Sequence, residues 1–145
     1  MILYPPLVKT YKEKKTEEFK KIYLRFKKLI IVSTILMSLL LAILIQPLLQ
    51  ILNKSEFYAY IDAFYILLMA NIFIVFSYIP HYILYAKDQD RFILISSIIG
   101  LSVNIILNII LIPKYSINGA SVALTASYAS IFIAKYVFNR LSFRN

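Results

Sequence analysis

The sequence contains no cysteine, a single histidine and only seven acidic residues among its 145. Without a thiol there is no disulfide, no thiol nucleophile and no thiolate metal site, and one imidazole with so few carboxylates leaves little from which to build a metal cage. Catalysis is therefore not expected, and no catalytic residue, cofactor or metal ligand is assigned. Charge is missing too, and in long blocks. No Lys, Arg, Asp or Glu occurs between Lys28 and Lys54, from Phe92 to Pro113, or from Tyr115 to Ala134. A helix needs roughly 20 apolar residues to cross a hydrocarbon core, and each of these blocks is long enough.

What fills the blocks is apolar: 61% of the chain is hydrophobic and mean hydropathy is +0.75, too high for an ordinary soluble domain. The fold class expected is an all-α polytopic membrane protein, a bundle of four transmembrane helices over about 29–52, 63–86, 92–113 and 115–138. A basic cytoplasmic segment, 1–28, precedes the bundle, and a short tail, 139–145, follows it. The net charge of +9 would suggest nucleic acid in a soluble chain. Here the excess flanks apolar spans, where topology and anionic lipid account for it, so membrane lipids are expected as partners and nucleic acid is not.

Charge also orients the bundle. The segments before Leu29, between Ala86 and Phe92, and after Ala134 carry nine, two and three Lys or Arg, whereas the two intervening loops carry only Lys54 and Lys114. Positive residues stay inside, which places both termini in the cytoplasm of a multi-pass protein of the cytoplasmic (inner) membrane. A secretory signal is not read at the start, since MILYPPLV leads straight into lysines. It looks like the end of an apolar element stopped by Pro5-Pro6. Thr16 with Glu17 and Glu18 predicts a helix start with a capping hydroxyl. From there Phe19, Ile22, Tyr23, Phe26, Leu29 and Ile30 form one face and Lys20, Lys21, Arg25, Lys27 and Lys28 the other. That helix either lies on an anionic leaflet or serves as the basic flank of the first span. Gln46-Pro47 predicts a kink or helix end late in that span.

Polar residues inside the spans are the candidate functional ones. Asn71, Asn104 and Asn108 are candidates to face a cavity, because an amide in hydrocarbon loses its water partners. Ser97, Gly100, Asn104, Asn108 and Leu111 share a stripe of the third span. His81, after Pro80, is either a proton-linked group or an interfacial histidine near the Lys87–Arg91 loop. In the fourth span Gly119, Ala123, Ala126, Ser127, Ser130 and Ala134 form a smooth face for close helix packing.

NIILNIILIPKYSINGASVALTASY (104–128) resembles the closing helices of the polysaccharide biosynthesis flippases, the O-antigen and teichoic-acid exporters of the multidrug/oligosaccharidyl-lipid/polysaccharide superfamily. The pattern there is an Asn-rich helix, Leu-Ile-Pro, Lys-Tyr-Gly, then Gly-Ala-Ala. YPPLVKTYKEKKTEEFKK is similar to that family's cytoplasmic linker, Gln46-Pro47 to the Pro-Leu of its next helix, and LYAKDQDRF to its basic turn. Ser116 stands where the family has glycine after Lys-Tyr, and Asn53-Lys54-Ser55 lacks the glycine usual after the first span. The resemblance implies a C-terminal portion of a transporter that moves lipid-linked oligosaccharide across the cytoplasmic membrane. Its partners would be the lipid-linked glycan and further helices, from missing N-terminal spans or a second subunit. In relatives, cations lining the cavity meet the anionic head group, and no mid-span Lys or Arg is recognised here. A non-transporting membrane scaffold or anchor, and a membrane-embedded transferase using Asp88 and Asp90, remain as alternatives.

Overall fold

The computed structural model describes residues 4–141, and among these the secondary structure is helical throughout, with no strand. Helix α1 spans Tyr4–Lys12. Pro5 and Pro6 lie in its first turn, where a missing amide proton leaves no bond unmade, so they start a helix instead of stopping one. This corrects the expectation for Pro5-Pro6; residues 1–3 of that stretch lie outside the described residues. Leu7 and Thr10 are buried, and α1 packs on α2 and α4.

Helix α2 runs 36 residues, Thr16–Ile51, so the amphipathic segment and the first span are one element. Thr16 is its first helical residue. Lys15 occupies the cap position and no side chain caps the helix, so the expected hydroxyl cap is not formed. The amphipathic pattern holds otherwise: Phe26 is buried, Phe19, Ile22, Tyr23 and Ile30 are half-buried, and the five basic residues are exposed. Leu29 departs from it and is exposed. The helix continues through Pro47 and ends four residues later at Ile51, so the helix end expected near the proline falls just beyond it. The Tyr58 hydroxyl donates to the Gln46 carbonyl at 3.1 Å and the Tyr65 hydroxyl to that of Ala42 at 3.4 Å, tying the flank of the proline site to the next elements.

A 3-10 helix, Ser55–Tyr60, leads into α3 (Ile61–Phe76) and α4 (Tyr78–Ala86). The second expected span is thus one long apolar stretch, interrupted at Ser77 only by a missing helix bond, since Ser77 keeps helical φ and ψ of −63° and −18°. Pro80 is the cause. It cannot donate to the Phe76 carbonyl four residues back, and its ring crowds that carbonyl.

The expected third and fourth spans form a single helical element, α5, Asp90–Leu141, of 52 residues. The count of four separate membrane helices is therefore corrected to three stretches long and apolar enough to cross a membrane: Thr16–Ile51, Ser55–Ala86 and Asp90–Leu141. Inside α5 only Ser116 leaves helical geometry, with φ 48° and ψ −123°. The element doubles back there, just after the Pro113-Lys114-Tyr115 corner. Phe92 stacks on Phe138 with ring centroids 4.9 Å apart, and the Ser127 hydroxyl donates to the Gly100 carbonyl at 2.8 Å. Near the corner Gly119 lies against the Leu111 carbonyl. The Thr125 hydroxyl, whose single proton is shared between the Ser121 carbonyl of its own helix at 2.8 Å and the Ile66 carbonyl of α3 at 3.0 Å, sits within the most extensive interface of the bundle.

These contacts sort the chain's charges by height. Lys12 meets Asp88, and Phe92 meets Phe138, so the N-terminal segment, the 87–91 loop and Arg140 gather at one end. A hollow lined by Phe57, Tyr60, Ile117 and Ser121 brings the 53–60 loop and the Ser116 turn together at the other.

A buried polar cluster as the candidate functional site

The break at Ser77 and the helical turn after it set Ser77 and His81 four residues apart on one face of α4 and its entry. The second arm of α5 brings Lys135 to them. Lys135 is only 5% exposed, and its ammonium donates to the Ser77 hydroxyl at 3.5 Å, its one hydrogen bond among the described residues. Ser77 is itself buried and donates to the Ile74 carbonyl at 2.7 Å, so its lone pairs are what it offers the lysine. One turn beyond Lys135, the buried side-chain oxygen of Asn139 has no hydrogen-bond partner among the described residues, nor has Nδ1 of His81. The His81 ring stands edge-on to Tyr82 at 5.2 Å and to Tyr78 at 6.3 Å, which fixes its plane. Beside the cluster a hollow of about 190 Å³ is lined by Tyr23, Lys27, Pro80, Tyr136 and Asn139 among others.

The height of the cluster matters. The nine residues of α4 separate Ser77 from the polar 87–91 loop, about 14 Å at a helical rise of 1.5 Å per residue. An ammonium that far into a membrane-spanning bundle would be expensive in a bilayer, which makes Lys135 the candidate functional group. Chemically the arrangement offers a poorly neutralised cation with spare donors, next to an imidazole nitrogen and an amide oxygen with spare acceptor capacity. It can hold an anionic group, or pass a proton between lysine and histidine.

Of the candidates from the sequence, His81 lies in this cluster. Asn104 and Asn108 do not. Both are half-buried, and the Asn108 amide donates to the Asn104 side-chain oxygen at 2.9 Å along their own helix, while the buried Asn108 oxygen has no partner among the described residues. Asn71 is exposed on α3 and touches none of them in a hydrogen bond. On the stripe of the third span, Ser96 takes the inward place given to Ser97, which is exposed and bonded to its own helix at the Ile93 carbonyl. The small-residue face sits inward: Gly119, Ala123 and Ser127 are buried and Ser130 is half-buried, donating to the Ser127 carbonyl at 2.7 Å.

Lys135 was missed because, as the first charge after a long apolar run, it reads as the basic flank that ends a span. The signal lay just beyond it. Tyr136, Val137 and Phe138 continue the apolar run past the lysine, and the expected span of 115–138 already takes Lys135 in, although its charge is counted with the flank after Ala134. No family model, curated protein or solved structure matches this chain.

Proposed function

We propose that the chain is the C-terminal portion of a membrane transporter that exports lipid-linked oligosaccharide or polysaccharide precursors across the cytoplasmic membrane. The observation that carries the proposal is Lys135: a cation buried within an apolar bundle, held by a single long hydrogen bond, is the kind of group that meets the pyrophosphate of a polyprenyl-linked sugar. The resemblance of residues 104–128 to the closing helices of the polysaccharide flippases supports the same assignment. In this reading the two arms of α5 each cross the membrane, giving four crossings, with both termini cytoplasmic under the positive-inside rule. Each arm holds about 25 residues, enough for one passage. The remaining wall of the transport path comes from further helices, in a longer chain or a second subunit.

A photo-crosslinking experiment tests this. A benzophenone amino acid at Phe132 or Tyr136, in membranes supplied with radiolabelled polyprenyl-pyrophosphate oligosaccharide, should yield a labelled adduct that falls several-fold in Lys135→Met. Adduct formation no greater than with an uncharged polyprenol would overturn the assignment and leave a membrane anchor as the function.

A further inference from the structure

At the basic end of the bundle, two helix C-termini face each other across a hollow of about 660 Å³. Helix α1 ends at Lys12, and Lys14 takes a left-handed conformation with φ 57°. Helix α4 ends at Ala86, and Asp88 does the same with φ 55°. Each turn closes with the same pair of backbone bonds. Lys14 and Lys15 donate to the carbonyls of Tyr11 and Thr10, and Asp88 and Gln89 to those of Tyr85 and Leu84. Backbone amides thereby take up two of the terminal carbonyls of each helix, and the lysines gathered at these ends offset the negative end of each helix dipole. The walls are tied together by Lys12, whose ammonium donates to Asp88 at 3.0 Å.

Around this hollow stand Lys12, Lys14, Lys15 and Lys87, with Asp88 the one acid in the lining. Asp88 is engaged by Lys12, and Glu13, just outside, by Lys15 at 2.7 Å and Lys9 at 3.8 Å. Glu17 and Glu18 come next, in the first turn of α2. The positive charge in the lining exceeds the negative, and Tyr11 and Phe19, edge to face at 5.3 Å, give the hollow an apolar side. It lies level with the end of α4, where the apolar stretch gives way to charge.

We propose that this hollow binds the phosphate of an anionic phospholipid of the adjoining leaflet, with Lys14 and Lys87 as its cationic contacts. The size suits a headgroup, the lysines suit a phosphodiester, and the aromatic side suits the glycerol and upper acyl carbons. Burial lowers the Lys87 ammonium below its ordinary value, so an anion beside it favours the charged form. The site rests on the chain being a membrane protein and not on transport.

The full chain in nanodiscs of phosphatidylcholine with a minor fraction of phosphatidylglycerol, followed by native mass spectrometry, tests the proposal. The expected result is one phosphatidylglycerol retained in preference to phosphatidylcholine. Two surface lysines contribute enough that Lys14→Gln with Lys87→Gln should cut that retention by roughly thirtyfold. Lys20→Gln with Lys21→Gln, equally basic and outside the hollow, should leave it unchanged. Lys14→Arg with Lys87→Arg should keep binding, which separates lost charge from lost folding. Equal loss in the Lys20/Lys21 variant would mean diffuse attraction to the surface and overturn the site. So would displacement of the lipid by millimolar inorganic phosphate or pyrophosphate, which would assign the hollow to a soluble anion.

Discussion

The Ser127 hydroxyl donates to the Gly100 carbonyl at 2.8 Å, joining two arms of one 52-residue helical element that doubles back at Ser116. A Cβ on Gly100 would strike the Ile131 side chain, whereas one on Gly119 would strike the backbone carbonyl of Leu111. The Ile131 side chain can shift to another rotamer at some cost, being β-branched in a helix, whereas the Leu111 carbonyl cannot move without its helix. Gly119→Ala should therefore destabilise the bundle by about 1–3 kcal/mol, and Gly100→Ala by clearly less. Thermal unfolding of the two variants in detergent micelles gives the order, and the reverse order would refute this account of the corner.

Ser116 is strained where its neighbours are not. Its φ of 48° and ψ of −123° fall outside the regions open to a side chain, and glycine is the residue that reaches them without cost. Ser116→Gly should stabilise the chain by about 0.5–1 kcal/mol, the relief of strain outweighing the extra freedom of glycine in the unfolded state. An unfolding midpoint that falls in this variant would show that the turn does not need this conformation.

Much of the fold was legible in the sequence, and the reasons are particular. The corner at Pro113-Lys114-Tyr115 and the inward face of Gly119, Ala123 and Ser127 come from proline, from charge and from small residues at helical spacing. The same rules misplaced other features. Ser77 is an ordinary serine in an apolar run, and only the reach of Pro80 back to Phe76 makes it a break. Thr16 has the right residue type for a cap, but the left-handed turn at Lys14 sets the helix start so that Lys15 takes the cap position. Asn104 and Asn108 were expected to face a cavity, yet being four apart they bond along their own helix, the Asn108 amide to the Asn104 side-chain oxygen. Lys135 could not be found by looking for charge between apolar blocks, since it stands near the end of one.

Docking of α1 sets apolar burial against an exposed ion pair. Leu7 is 1% exposed, whereas Lys12 and Asp88 are both largely in solvent. Leu7→Ala should loosen α1 by about 2–5 kcal/mol if the site behaves as core, while Asp88→Asn should change its hydrogen-exchange protection little. The sign of each shift sets the pH dependence. Its bond to Asp88 raises the Lys12 ammonium above 10.5, and its bond to Lys15 lowers the Glu13 carboxyl below 4.5. The first contribution is present below 10.5 and lost only as pH rises past the raised value. The second is present above 4.5 and lost as pH falls past the lowered one. Protection of α1 should be flat between those limits, and a transition near neutral pH would contradict this.

Orientation in the membrane can be read directly because the chain has no cysteine of its own. Single cysteines at Lys12, Asp90 and Arg140 should resist an impermeant thiol reagent applied to intact cells, and cysteines at Ser55 and Ser116 should react. Labelling at position 90 together with protection at 55 would reverse the proposed topology.

Lys135 separates stability from function. Its ammonium is buried with one bond of 3.5 Å, too long to offset the loss of water, so the fold carries this lysine at a cost. Methionine has nearly the same length and volume and no charge. Lys135→Met should therefore raise the stability of the bundle in micelles, by about 1–3 kcal/mol if it behaves like other buried ionic groups replaced by apolar ones. Lys135→Ala removes the same charge but leaves a void, which costs about as much as the relief provides, so it should fall below Lys135→Met. If the lysine exists to meet an anionic substrate, the more stable methionine variant is also the one that no longer crosslinks to polyprenyl-pyrophosphate glycan. A methionine variant less stable than the parent would mean that the ammonium is well paired inside the bundle, and that its role is to hold Ser77 and the break between α3 and α4 in place.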